Sequence, residues 1–125
     1  MEMNADVVIA GTGVGGLFSA LNLPADRKII MITKSDLESS DSFLAQGGIC
    51  VLRDEDDYDS WFEDTMRAGH YENRKESVDI MIKNSRDVIH DLIGYGVEFQ
   101  KKDGEYAFTR EGAHSRPRIL FHEDI

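Results

Sequence analysis

The ten residues at 7–16, V-V-I-A-G-T-G-V-G-G, constrain the fold of this chain more than any other stretch. A short β-branched run enters Gly11-x-Gly13-x-x-Gly16, and L-F-S-A-L-N-L at 17–23 follows with helical spacing. Strand, glycine turn and helix are the context in which a G-x-G-x-x-G has physical meaning. Gly11 turns the chain off the strand, Gly13 leaves room for backbone to approach a pyrophosphate, and Gly16 lets the helix lie close on the strand. The helix then offers N–H groups and the positive end of its dipole to phosphate. This pattern reads as a dinucleotide site. The alternative is a glycine-rich turn that serves packing alone.

The rest of the chain extends that unit. Residues 6–10 and 29–33 read as strands, their apolar runs V-V-I-A and I-I-M-I being those expected of strands covered on both faces. A helix over 14–23, stopped by Pro24, joins them into one right-handed βαβ unit. Dinucleotide folds usually place an acid about 20 residues beyond the glycines, at the end of the second strand. Here that end reads Thr33-Lys34-Ser35, with Asp36 two positions late. The absence weakens a nicotinamide reading. Lys34 reads either as a contact to an adenosine ribose or phosphate, or as a surface lysine. Residues 35–48 form a polar stretch closing on S-F-L-A-Q-G-G. Adjacent glycines let backbone press against a flat ligand, and Gln46 both donates and accepts hydrogen bonds. That suits the edge of a flavin ring, and equally a loop with a Gly-Gly hinge.

Further along, D-E-D-D at 54–57 reads as a solvated lead-in to a helix over 58–68 that ends at Gly69. A longer helix starts at Asn73 or Arg74, with Val78, Met81, Ile82, Val88, Ile89, Leu92 and Ile93 at three- and four-residue steps until Gly94 and Gly96. The two helices are expected to pack as a pair. His70 and His90 read as structural or exposed. Residues 97–100 and 106–109 alternate about Asp103-Gly104, a hairpin signal. R-E-G-A-H-S-R-P-R at 110–118 crowds arginines around Gly and Pro. Their forks suit an anionic substrate, or internal salt bridges of a polar loop.

The chain of 125 residues has 24 acidic and 14 basic side chains, a formal net charge of −10. A field of that sign repels nucleic acid and anionic membrane. Cys50 is the only cysteine, so no internal disulfide forms, which suits a reducing cytoplasm. The polar start M-E-M-N-A-D is unlike a signal peptide, and no apolar run has bilayer length. With only two parallel strands legible, the chain is expected to be the N-terminal piece of a longer protein.

Taken in order, G-T-G-V-G-G, T-K-S, S-F-L-A-Q-G-G-I and E-G-A-H-S-R-P-R-I-L resemble the N-terminal part of the L-aspartate oxidases, flavoproteins related to fumarate reductase and succinate dehydrogenase. The resemblance runs over essentially the whole chain and is most specific in A-Q-G-G-I and E-G-x-H-S. It also accounts for the missing acid, because that family carries Ser or Thr followed by Lys there. It implies an α/β fold, the truncated N-terminal part of a Rossmann-like FAD-binding domain with a βαβ unit, a helical pair and a β-hairpin. The capping and C-terminal helical domains would be absent.

The resemblance further implies noncovalent FAD. Gly11, Thr12, Gly13, Val14, Gly15 and Gly16 would lie under its pyrophosphate and Lys34 near its adenosine end. Asp41, Ser42, Phe43, Leu44, Ala45, Gln46, Gly47 and Gly48 would run beside the isoalloxazine. Related flavoproteins carry an FAD-linking histidine at the position that counts to Asp41 here, and a carboxylate cannot make that bond. The implied reaction is oxidation of L-aspartate to iminoaspartate for NAD biosynthesis. Oxygen or fumarate would reoxidise the flavin, and quinolinate synthase would receive the product. Glu111 matches a family glutamate near the substrate, placed to recognise the amino group that fumarate lacks. The family's catalytic arginine comes from later segments, so no catalytic residue and no metal ligand is assigned here. The isolated chain is expected to be inactive and to self-associate through uncovered strand faces. The alternatives are a fumarate reductase or succinate dehydrogenase type of flavoprotein subunit, a non-catalytic nucleotide-binding module and, last, a nicotinamide-dependent dehydrogenase.

Overall fold

A computed structural model describes residues 2–45 and 47–122. It divides into two compact units, Met1–Gln46 and Gly47–Ile125.

The first unit is the expected βαβ: β1 (Val7–Ala10), α1 (Val14–Leu21) and β2 (Ile29–Ile32). β1 and β2 pair in parallel, Val7 opposite Ile29 and Ala10 opposite Ile32. Asp6 fixes the start of the pair, its carboxylate accepting the Lys28 N–H at 2.8 Å. Gly11 fixes the end, its N–H donating to the Ile32 carbonyl at 2.8 Å. α1 closes two residues earlier than Pro24 alone requires, because the Asn22 side chain donates to the Phe18 carbonyl at 2.9 Å. The strands are not covered on both faces. Val8 is 62% and Ile32 is 52% exposed, and no residue of either strand is fully buried among the described residues. The polar stretch after β2 is ordered, with a 3-10 turn at Leu37–Ser39 and one helical turn, α2 (Asp41–Leu44). Ser40 caps α2 by accepting the Phe43 N–H at 3.2 Å.

The second unit holds β3 (Gly48–Cys50), α3 (Tyr58–Ala68) and α4 (Lys75–Gly94). The two helices pack on each other around Trp61, Met66, Val78, Ile82 and the neighbouring Leu52. Along α4 the buried positions are Val78, Ile82, Ser85 and Ile89, steps of four, three and four that keep one face inward. Ser85 is a tie within that stripe. Its hydroxyl donates to the Ile82 carbonyl at 2.7 Å and accepts the Leu52 N–H at 3.0 Å. Arg86, on the outer face of α4, reaches back to donate to the Leu52 carbonyl at 2.7 Å.

The hairpin is present but shorter than its alternation suggests. β4 (Lys101–Lys102) and β5 (Glu105–Tyr106) pair across Asp103 and Gly104, whose φ values of 54° and 85° are those of a tight primed turn. Residues 97–100 lie outside any strand. β6 (Phe108–Thr109) leaves the hairpin for a second antiparallel sheet, in which β7 (Ile119–Phe121) lies between β3 and β6. That sheet is invisible to sequence alternation because its strands are two or three residues long. Gly48 is obligatory in it, since a Cβ there would overlap the Leu120 carbonyl oxygen. Val51, Ile89 and Leu120 form the core beneath it.

Candidate functional site

In the first unit, the glycine turn builds a phosphate-sized cradle. Gly11 adopts φ +109°, a region that favours glycine, and this swings the chain off β1. A Cβ on Gly16 would overlap the Gly11 carbonyl oxygen and press on Ile9 Cγ2 at 3.3 Å, so only glycine lets α1 sit this close to β1. Gly13 carries no side chain to cap α1. Ser42 does so from 28 residues downstream, its Oγ accepting the Val14 N–H at 3.0 Å. The first N–H groups of any helix lack partners inside it, and Gly13, the residue before α1, lines a cleft of about 640 Å³.

The cleft is lined by Gly11, Thr12 and Gly13, by Thr33, Lys34, Ser35 and Asp36 beyond β2, and by Ser39, Ser40, Asp41 and Ser42. Asp36, two positions late in the sequence, therefore reaches the same cleft as Lys34. Thr12 is buried and its hydroxyl has no hydrogen-bond partner among the described residues. An orphaned buried hydroxyl beside a helix N-terminus fits a group that brings acceptor oxygens, such as a pyrophosphate. Of the segment expected along a flavin, Asp41 and Ser42 line this cleft, whereas Phe43 and Leu44 point to solvent, 62% and 66% exposed. Ala45 and Val14 are also exposed, and Gln46 lies outside the described residues.

In the second unit, Gly47 has φ +118°, and the Glu111 carboxylate oxygens lie 3.8 and 3.9 Å from where a Cβ on Gly47 would stand. Glu111 is exposed and begins a tight turn closed by the His114 N–H donating to the Glu111 carbonyl at 3.3 Å. Ala113 occupies the turn's third position at φ +69°. That conformation costs an L side chain about 1–2 kcal/mol. Ala113→Gly is expected to stabilise the protein by about 1 kcal/mol, read as a rise in its urea midpoint without a change in slope.

Beyond that turn, Arg118 follows the second of the two sequence readings, that of internal salt bridges. Arg118 is fully buried and internal. Its Nε and Nη2 donate to Asp57 at 2.9 and 2.8 Å, and its Nη1 donates to Asp64 at 2.9 Å. Nη2 also donates to Ser60 Oγ at 2.9 Å, and the guanidinium lies 5.9 Å from the Trp61 ring centre. Arg118 is thus unavailable to a substrate. Arg116 donates to the Asp56 carbonyl at 3.2 Å, and Arg110 is exposed. The acidic run is corrected at its last member, since Asp57 is buried rather than solvated.

The shared inward role of Asp57, Ser60 and Asp64 went unread in the sequence. Their spacing of three and four places them on the same inward helix face as Trp61, which was the available signal. Asp64 also accepts from Ser115, through N–H and Oγ, both at 2.7 Å, and from Arg67 at 2.7 Å. Burial alone raises a carboxyl pKa. The Ser115 and Arg118 hydrogen bonds outweigh it and hold Asp64 down at about 2.

The Arg118 Nη1 also lies 2.9 Å from His114 Nδ1. Because a guanidinium only donates, Nδ1 accepts and the ring hydrogen sits on Nε2, facing Cys50 Sγ at 3.5 Å. Burial pushes the Cys50 thiol pKa up while the Arg118 charge pulls it down. Ala113 and His114 line one wall of an apolar hollow of about 650 Å³ whose other walls include Trp61, Ile80, Met81 and Val88. Among the described residues no lysine or arginine lines it, which does not suit a dicarboxylate. Among the described residues no cluster of three His, Cys, Asp or Glu side chains is arranged to hold a metal ion. No helix among them is long and apolar enough to cross a membrane.

A βαβ turn with a capped helix start and an orphaned hydroxyl defines a nucleotide-phosphate binder of the Rossmann type. Residues 6–124 match the FAD binding domain family model, and the chain belongs to that family. Its cofactor is therefore FAD. The chain is 46% identical over 125 residues to the L-aspartate oxidase of Clostridium perfringens, covering 100% of this chain and 28% of that protein. It is likewise 46% identical to the L-aspartate oxidase of Clostridium acetobutylicum, covering 99% and 29%. Among solved structures it is similar to E. coli quinol fumarate reductase, with TM-score 0.85 and 26% identity over 95% of this chain and 21% of that one. The chain thus spans less than a third of the length of these relatives.

Proposed function

We propose that this chain supplies the N-terminal, FAD-holding portion of an L-aspartate oxidase, the remaining length carrying the capping and helical domains. The observation that carries the reading is the 46% identity to L-aspartate oxidases along the whole chain. When bound, FAD accepts the hydride released from the α-carbon of L-aspartate, leaving iminoaspartate. The chain's own residues bind and orient. The α1 N–H groups with the Thr12 and Ser42 hydroxyls receive the pyrophosphate, and Lys34 and Asp36 face the adenosine end. Gly47 and Gly48 lend backbone to the ring edge. Glu111 takes the substrate ammonium in a charge-assisted bond, which favours aspartate over fumarate. Asp41 stands where a linking histidine would, so FAD is held noncovalently.

Oxygen or fumarate then serves as the electron acceptor, the product passes to quinolinate synthase, and the enzyme works in the cytoplasm. By itself the chain turns over negligibly and self-associates, because Val8, Val14, Leu21 and Ile32 leave its first unit with an apolar surface. A fumarate reductase type of activity is the second reading, favoured by the fumarate reductase likeness. The test is turnover by the full-length gene product with FAD added. L-aspartate should yield peroxide in air and succinate when fumarate is supplied without air. Turnover with succinate and none with aspartate would replace the first reading by the second.

A further inference from the structure

We infer that Asp64, buried on α3, is a positioning residue for Glu111. The inference deepens the reading above and rests on it. Glu111 is exposed, and among the described residues the turn it begins has no regular ladder to stiffen it. The residues just past that turn are instead pinned from below. Ser115 gives both its N–H and its hydroxyl to one Asp64 oxygen, at 2.7 Å each. His114 is held through Nδ1 by Arg118, and Arg118 is itself held by the same Asp64 oxygen at 2.9 Å. Asp64 thus anchors two consecutive residues, one directly and one through the guanidinium. Ala113 at φ +69° lies between those anchors and Glu111, so the anchored pair His114 and Ser115 keeps the turn in a costly conformation. Releasing the anchor frees the turn to relax and moves the Glu111 carboxylate away from Gly47.

A group that positions the ammonium-binding carboxylate has a signature that a general packing role lacks. It matters for a substrate with an amino group and not for one without. In the full-length gene product, Asp64→Asn should raise the KM for L-aspartate about 10-fold and leave the KM for fumarate as electron acceptor within about 2-fold. Glu111→Gln should show the same split. The double variant should be no worse than the more impaired single one, because both changes remove the same contact. Should Asp64→Asn fail to fold, Ser115→Ala removes only the hydroxyl bond and should give the same split in smaller degree.

An aspartate KM unchanged in a folded Asp64→Asn protein, with the Glu111→Gln effect intact, would overturn the positioning role alone. Equal losses with aspartate and fumarate would also overturn it, as would additive effects in the double variant. A wild-type protein that holds FAD and reduces fumarate but ignores aspartate would instead overturn the functional reading on which the inference stands.

Discussion

Gly16→Ala is expected to weaken FAD binding by about 10- to 100-fold in the full-length gene product, measured by flavin fluorescence quenching. The methyl group has no space, since it would overlap the Gly11 carbonyl oxygen and crowd Ile9. Relief requires α1 to move off β1 or the Gly11 turn to open. Either motion carries the helix start away from the cleft lined by Thr12 and Gly13. Overpacking of this kind costs about 1–3 kcal/mol, and each 1.4 kcal/mol of lost binding is tenfold in affinity. Gly94→Ala, at the end of α4 and outside the expected FAD residues, is the control. A Cβ there meets nothing within 4 Å, and α4 gains a better helix former. Equal losses for the two variants would show that glycine content, and not the Gly16 contact, sets the affinity.

Arg118→Met is expected to destabilise the protein by about 3–5 kcal/mol, enough to leave little soluble protein if the parent has the usual margin of about 5–15 kcal/mol. The guanidinium is the shared partner of two nearly buried carboxylates, Asp57 and Asp64, whose side chains are 3% and 4% exposed. Methionine fills similar space but strands both charges. Arg118→Lys should be milder yet still costly, because an ammonium cannot reproduce the planar fork that reaches Asp57 twice and Asp64 and Ser60 once each. Urea titrations monitored through Trp61, which lies under the guanidinium, measure both. A loss below about 1 kcal/mol for Arg118→Met would mean the network is solvated in solution.

The same network sets a pH dependence. Asp64 and Asp57 both have native pKa values below the ordinary carboxylate value of 3.8, Asp64 at about 2. A depressed native pKa adds stability that is fully present above the ordinary value and is lost as pH falls through the native one. Wild-type stability should therefore drop between about pH 4 and pH 2, and Asp64→Asn should flatten that slope.

The βαβ part of the first unit was legible almost residue by residue, because a parallel strand pair, a glycine turn and a helix each leave a local signal. β1, α1 and β2 differ from their expected ends by two residues at most. The helical pair was legible for the same reason, through the periodicity of Val78, Ile82 and Ile89. What sequence could not supply was long-range pairing. Gly48–Cys50 and Ile119–Phe121 are too short to alternate, and they meet only after an intervening stretch of helix and hairpin. The ion network was hidden likewise. Asp57 looked like one more member of an acidic run, and only the fold brings Arg118 to it across 61 positions. In the cleft, the late Asp36 and the distant cap from Ser42 depend on how residues 33–42 curl back, which no spacing rule encodes.

The most direct test of the central claim is the visible absorption spectrum of the full-length gene product, purified with FAD, cleared of excess and titrated with L-aspartate in the absence of air. The account predicts a retained flavin band that is bleached by L-aspartate and a cofactor released intact on denaturation. A protein that retains no flavin, or one whose band is bleached by succinate and left untouched by aspartate, would contradict it.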